Sequence, residues 1–263
     1  MLFLKYVVAS LRSQAQYPGS AALLMLGNFL GTGVEIVALL ALFHRFGDVR
    51  GWRLGEVALF YGLVNVQFAL AELLSRGFDV LGTELIRTGS FDRLLLRPRS
   101  LLLQLCAYEV RLSRLGRMTQ AALVLWLCID SAAVRWSAAN VLFFLWAVAG
   151  GVALFVGLLV LQGTLAIFTV ESLELMNVLT YGGVQAAQFP LSIYHGGLRR
   201  FLTFVVPLGL ITYYPALTLL GKRDPLGAPE WIGLASPACG FLFLGLALLV
   251  WRWGVGRYVS TGS

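Results

Sequence analysis

Residues 75–100, SRGFDVLGTELIRTGSFDRLLLRPRS, hold Arg76, Arg87, Arg93, Arg97 and Arg99, five of the chain's 20 Lys and Arg residues. In a sequence that is 59% hydrophobic and 13% charged, that density of charge decides how the chain lies. One arginine at the centre of a bilayer costs roughly 2.5–3.5 kcal/mol. Residues 75–100 must therefore stand outside hydrocarbon, and the apolar runs beside them must leave the membrane there.

Composition leads to the same solvent. A mean hydropathy of +0.81 would leave a water-soluble domain of 263 residues with more apolar surface than it could bury. The net charge of +7 comes in short clusters between apolar runs, the pattern of loops at an anionic lipid surface rather than of a nucleic-acid groove. Cys106, Cys128 and Cys239 lie in or beside apolar runs with no paired spacing, so they read as small core residues rather than a disulfide framework or metal site.

A membrane core needs about 20 apolar residues as helix. Spans are predicted at 20–43, 54–74, 101–134, 138–168, 172–194 and 231–251. In the third, Glu109, Arg111, Arg114 and Arg117 delay the hydrocarbon portion to about Met118, with the arginine stems snorkelling to the interface. The fourth, uncharged for 31 residues, must tilt or project, since it would be roughly 46 Å long as helix. Residues 1–17 lack the core and cleavage site of a signal peptide. Leu4, Val7, Val8, Leu11 and Ala15 recur opposite Lys5, Arg12 and Gln16, which predicts an interfacial helix. Residues 198–221 are long enough to span but carry Pro207 and Pro215. Two short helices that dip in and return fit those prolines better than one straight crossing, which stays the alternative.

With six spans and the N-terminus inside, the side bearing 75–117 holds twelve basic residues and the other side eight. The first is read as cytoplasmic, and both termini with it.

Catalytic patterns are missing. His44 and His195 each stand at a span end, and the sequence holds neither a His-Glu-x-x-His pair nor a Gly-x-Ser-x-Gly elbow. Gly221-Lys222 is no nucleotide cradle, because Arg223 stands where Ser or Thr belongs and Ala216 where the first glycine belongs. Work driven by ATP would need another subunit.

Polar residues inside spans are costly, and each is a candidate for a translocation path. Glu35 lies mid-span with Asn28 and Thr32 before it on the same face. Asn65 and Gln67 in the second span, and Gln185 and Gln188 in the fifth, could line the same cavity or bond between helices. Gly27 with Gly31, Gly182 with Ala186, and Gly183 with Ala187 have the small-x-x-x-small spacing of close helix contacts, which permits a permease interface. The basic stretch is more ordered than a flank requires. Arg76 and Asp79 can pair across a turn, Phe78, Leu81 and Leu85 share a face, and Thr88-Gly89-Ser90 turns the chain. Ser90 is placed to cap a short helix that stops before Pro98. The segment reads as a helix-turn-helix hairpin on the membrane surface, a docking surface for a cytoplasmic partner or a solvated loop.

The run Arg76-Gly77-Phe78-Asp79, followed by Ile86-Arg87-Thr88-Gly89-Ser90-Phe91-Asp92-Arg93-Leu94-Leu95-Leu96-Arg97-Pro98, resembles the matching loop of bacterial ABC-2 type permeases of the antibiotic and multidrug export branch. Phe189-Pro190-Leu191-Ser192-Ile193-Tyr194, Leu202-Thr203-Phe204-Val205-Val206-Pro207 and Tyr213-Tyr214-Pro215-Ala216 extend the likeness through nearly the whole chain. The resemblance implies an all-α membrane protein: a six-span half-transporter with an N-terminal interfacial helix, a cytoplasmic coupling hairpin after span two, and re-entrant helices, Pro207, Tyr213, Tyr214 and Pro215 among their residues, before the last span. It implies a separate cytoplasmic ABC ATPase dimer that binds the ATP and Mg, so that this chain holds no cofactor. A second permease chain, itself or a related one, would complete the path in the bacterial inner membrane. Arg76, Asp79, Glu84, Arg87, Asp92, Arg93 and Arg97 would supply the polar contacts to the ATPase, with Gly89 and Pro98 shaping the hairpin and Phe78, Phe91 and Leu94 as anchors. The implied cargo is an amphipathic drug, lipid or glycolipid. An ion- or proton-coupled carrier, for which no inverted repeat is visible, and an intramembrane enzyme are the alternatives.

Overall fold

The computed structural model describes residues 8–10, 12–14, 16–109, 111–127, 134–169 and 173–259, and the side chains of all of these but Leu173 and Leu175. All regular structure among them is helical. Helix α1 (Pro18–Phe46) starts on a proline, whose missing N–H is no loss in a first turn, and ends at Gly47, which takes a left-handed φ of 71°. Helix α2 (Leu54–Asp79) starts where the Glu56 carboxylate accepts the Arg53 backbone N–H at 3.0 Å. It kinks at Ser75, whose φ of −139° is not helical. Its path continues through a π-helical turn, Leu81–Ile86, into α3 (Ser90–Leu95) and α4 (Leu101–Cys106).

Helix α5 (Arg114–Leu127) follows, then α6 (Ala138–Phe168), whose first turn is capped by Ser137 accepting the Asn140 N–H at 3.2 Å. Beyond α7 (Leu173–Ala187) the chain is broken into short pieces: a 3₁₀ turn Leu191–Ile193, α8 (Gly196–Arg200), a π-helical turn Phe201–Val205, α9 (Leu208–Ile211) and α10 (Tyr213–Leu220). The last two helices are α11 (Trp231–Ala235) and α12 (Ala238–Val255).

Contacts along the helices fix their relative directions. Gln67, Phe68 and Phe78 of α2 meet Gly151, Phe155 and Gly163 of α6 in the same order, so these two run parallel. Gly240, Phe243 and Gly254 of α12 meet Gly150, Gly157 and Thr164 of α6, also in order. Helix α5 runs the other way, with Arg114 and Arg117 at Glu72 but Gln120 at Tyr61 and Leu125 at Gly62. Helix α7 also opposes α2: Tyr181 reaches Glu72, while Ser192 and Ile193 beyond its end reach Trp52 and Arg50. Helix α1 joins that set, Asn28 lying at Ser113 and Thr32 at Tyr61. Thus α1, α5 and α7 point one way and α2, α6 and α12 the other.

Among the described residues four helices have the length and apolarity to cross a membrane: α1, α2 extended through Ile86, α6 and α12. The pair Gly196–Val205 and Leu208–Leu220, bent by 72°, would make a fifth if it were one span. Six spans were expected, the third of them delayed by its charged residues. Helices α5 and α7 have 14 and 15 described residues, about 21–23 Å at 1.5 Å each and short of the roughly 30 Å core. Residues 128–133 and 170–172, where the third and fifth expected spans meet α5 and α7, lie outside the described residues. The third span is also interrupted, since α4 stops at Cys106 before α5 begins. The sixth is split at Ser236 and Pro237. The interfacial helix expected over 1–17 lies mostly outside the described residues, of which 8–10 and 12–14 are helical.

The core gathers around α2, whose apolar window is 78% buried against 11% for α1. Phe60, Phe68, Phe155, Leu191, Leu202 and Tyr213 form its centre. Leu23, Leu30, Val34 and Val37 of α1 are exposed, which water would penalise and lipid does not.

Both ends of the bent segment sit at one end of α2. Before it, Trp52 Nε1 donates to Ser192 Oγ and Arg50 donates to the Ile193 carbonyl, each at 3.0 Å. After it, Lys222 pairs with Glu56 at 2.6 Å and lies over the Trp52 ring. Pro207 stands just ahead of α9 and Pro215 in the first turn of α10, where neither breaks an intrahelical bond.

Candidate functional site

The hairpin that follows α2 is divided by its own side chains. Phe78, Leu81, Leu85 and Phe91 are wholly or almost wholly buried, and Leu94 is buried too. Phe78 stacks edge-on against Trp251 of α12 at 5.1 Å between centroids. Phe91 does the same against Tyr258 at 4.9 Å. These contacts correct one expectation: Phe78, Phe91 and Leu94 face inward and hold the hairpin on α6 and α12, so they cannot anchor an outside partner. The outward apolar group is Leu96, 85% exposed, beside Leu95.

Glu84, Arg87, Arg93, Arg97 and Pro98 are exposed as well. Arg76 and Asp79, also expected outside, are turned inward as an ion pair. Gln162 of α6 donates to the second Asp79 oxygen at 3.1 Å. Asp92 is half-buried beside the Tyr258 hydroxyl. Burial, and then the Asp92 carboxylate, push that phenol above its ordinary value, so it stays neutral at any cellular pH. Ser90 does not cap α3. Gly89 takes the cap position with a left-handed φ of 67°, and Ser90 Oγ instead accepts from Arg93 at 2.8 Å and from Thr88 at 2.9 Å.

Above the hairpin the Glu72 carboxylate is 3% exposed. It accepts from Arg114 at 3.0 Å and from the Tyr181 hydroxyl at 3.1 Å, and Arg117 stands 3.8 Å away. The Arg117 guanidinium also lies 5.1 Å over the Phe68 ring. Arg114 and Arg117 were expected to snorkel outward, yet they are drawn in to join α5, α2 and α7 at one point. A second carboxylate, Glu109, bridges Arg111 at 2.8 Å and Arg76 at 4.0 Å.

Nearer mid-membrane, Glu35 of α1 accepts from Gln185 Nε2 at 2.6 Å and from Gln188 Nε2 at 2.8 Å. This clamp joins α1 to α7 and stays half-open to the surroundings. It brings together three of the seven residues proposed for a path. The other four bond elsewhere. Asn28 donates to the Ser113 carbonyl and Thr32 to that of Asn28. Asn65 donates to the Tyr61 carbonyl, and Gln67 bridges the carbonyls of Ala147 and Ile211 at 3.0 and 2.9 Å. Gly27, Gly31 and Gly182 face open space or their own helix, while Gly183 packs on Leu208. Ala187 is buried and Ala186 half-buried. The small-residue pairs therefore split between an outward face and an internal contact.

Among the described residues no group of His, Cys, Asp or Glu could hold a metal. The model of the family described as "ABC-2 family transporter protein" matches residues 29–262. The chain belongs to the ABC-2 transporter family. None of the curated proteins and none of the solved structures compared matches it.

As an ABC-2 permease, the chain is the multi-pass transport component of an ABC transporter and not itself an enzyme. Two features of this permease were missed by sequence reasoning. Glu72 was not singled out, because its partners Arg114 and Arg117 lie in α5, far along the chain, and meet it only through helix packing. Leu96 was passed over for Leu94, because three consecutive leucines carry no periodicity.

Proposed function

We propose that this permease is one half of the membrane unit of an ATP-driven exporter. It crosses the bacterial inner membrane six times, with the hairpin and both termini in the cytoplasm, as the alternating directions of α1, α2, α5, α6, α7 and α12 favour. Both ends of the bent segment meet the same end of α2, and that supports re-entry from the outer side rather than a crossing. A cytoplasmic ATPase dimer that binds ATP and Mg docks on the hairpin, and a second permease, a copy or a relative, completes the path. The carrying observation is the division of the hairpin. Its apolar face is sealed against Trp251 and Tyr258, while Leu96, Arg87, Arg93 and Arg97 are left exposed.

Such a hairpin is a rigid lever, because motion of its outer face is passed through Phe78 and Phe91 to α12. The test is affinity purification from host membranes. The wild type is expected to retain an ABC ATPase, and L96D combined with R93E is expected to lose it while still inserting in the membrane. Equal recovery of the ATPase with both proteins would refute the docking surface.

The cargo this reading favours is amphipathic, a drug, lipid or glycolipid, passing the Glu35 clamp. Glu35→Ala frees Gln185 and Gln188 and should lower transport several-fold without changing ATPase recovery. Unchanged transport would remove Glu35 from the path. An ion-coupled carrier would instead transport in nucleotide-free vesicles given an ion gradient.

A further inference from the structure

A groove of about 530 Å³ lies between α6, α7 and α12, roofed by Val205 and Val206 of the bent segment. Its walls include Leu161, Leu165, Met176 and Leu179, and among the described residues its only hydroxyl belongs to Thr164. That hydroxyl already donates to the Val160 carbonyl at 2.8 Å, so the described walls offer nothing to water or an ion. Along α6 it runs from Leu158 to Phe168, about 15 Å at 1.5 Å per residue and half of the roughly 30 Å hydrocarbon core. It is therefore one leaflet deep.

The end towards the hairpin has a different chemistry. Trp253 lines the groove there, half-exposed, and the Arg257 guanidinium sits 4.3 Å over its ring. Arg252 is exposed as well, but at 100° per residue it stands about 180° round α12 from Phe243 and 160° from Val250, away from the groove. Neither arginine is ion-paired among the described residues. The one acid near the start of α7 among them, Glu174, is exposed on that helix, about 160° round it from Met176 at 100° per residue. An aromatic ring and an unpaired guanidinium at the mouth of a one-leaflet apolar slot match the two parts of an anionic lipid.

We propose that this groove binds an anionic phospholipid of the leaflet on the hairpin side. One acyl chain fills the slot up to Val206, and the phosphate lies on Arg257. In a bilayer the chain alone gives little preference, because hydrocarbon is available everywhere. Selection rests on the headgroup and Arg257. The bound chain would also support the tip of the bent segment from below.

Native mass spectrometry of the full chain, released from nanodiscs holding equal phosphatidylglycerol and phosphatidylcholine with matched tails, tests this. The wild type is expected to retain phosphatidylglycerol in preference by roughly fivefold. R257A should erase the preference and R257K should keep it, whereas R252A, on the far face of α12, should leave it as it is. Leu161→Trp, which fills the slot but leaves Arg257, should release either lipid. Equal retention of the two lipids by the wild type, or an unchanged preference in R257A, overturns the proposal. The assay needs neither an ATPase nor a known sidedness, so its outcome is independent of the exporter reading.

Discussion

Replacing Glu72 with alanine is expected to cost about 3–5 kcal/mol, because it leaves two guanidinium groups buried beside a vanished partner. Arg114 and Arg117 both turn inward to this carboxylate, and α5 has no other ionic tie to α2 among the described residues. A loss of that size is a large share of the 5–15 kcal/mol that holds an ordinary domain together. In detergent it should lower the unfolding temperature by roughly 10 °C. Glu72→Gln keeps an acceptor for the Tyr181 hydroxyl and should be milder. The revealing variant is E72L/R114L/R117M, since apolar side chains of similar volume often replace a buried ion cluster without loss. Recovery of stability there, after its loss in E72A, would show that the cost lay in the orphaned charges. If E72A unfolds at the wild-type temperature, the cluster does not hold α5.

Gly240→Val should have a comparable effect by a different route. A methyl group built on Gly240 overlaps the Gly150 carbonyl oxygen, which is backbone and cannot step aside. One on Gly150 overlaps the carbonyl oxygen of Pro237 in the same way. The two helices thus touch main chain to main chain, as small residues permit in membranes. Forcing them apart costs about 1–3 kcal/mol or more, and the displacement should reach the far end of α12, where Trp251 packs on Phe78. The hairpin would then open more often, and trypsin cleavage at Arg87 and Arg93 should quicken roughly tenfold. Gly240→Ala should do the same to a lesser degree. Unchanged cleavage in both variants would mean that this seam does not hold the hairpin.

The broad architecture was legible because it follows from where charge can lie. Five arginines in 75–100 could not enter hydrocarbon, and the chain turns there. The 31-residue uncharged run became one helix with the same bounds, 138–168, because nothing inside it competes with helix. Less legible were features that depend on how helices meet. Glu72 finds Arg114 only once α5 docks antiparallel on α2, a relation that no local pattern carries. The inward turn of Asp79 depends on Gln162, 83 residues away. At Leu94, Leu95 and Leu96 the choice of outward residue depends on a few tens of degrees of helix rotation. Ser90 lost its expected cap because Gly89 could take a left-handed φ, and a serine side chain then had Arg93 to bond instead.

The shallow burial of α1 has a consequence for biogenesis. Its polar ties reach Ser113, Tyr61, Gln185 and Gln188, most of them made long after the ribosome has released α1 itself. A helix with its backbone bonds satisfied internally can wait in lipid on its own, and α1 must do so until α5 and then α7 arrive. Helix α1, made before α5 and α7, is thus docked late, and Glu35 spends that interval facing hydrocarbon without its two glutamines.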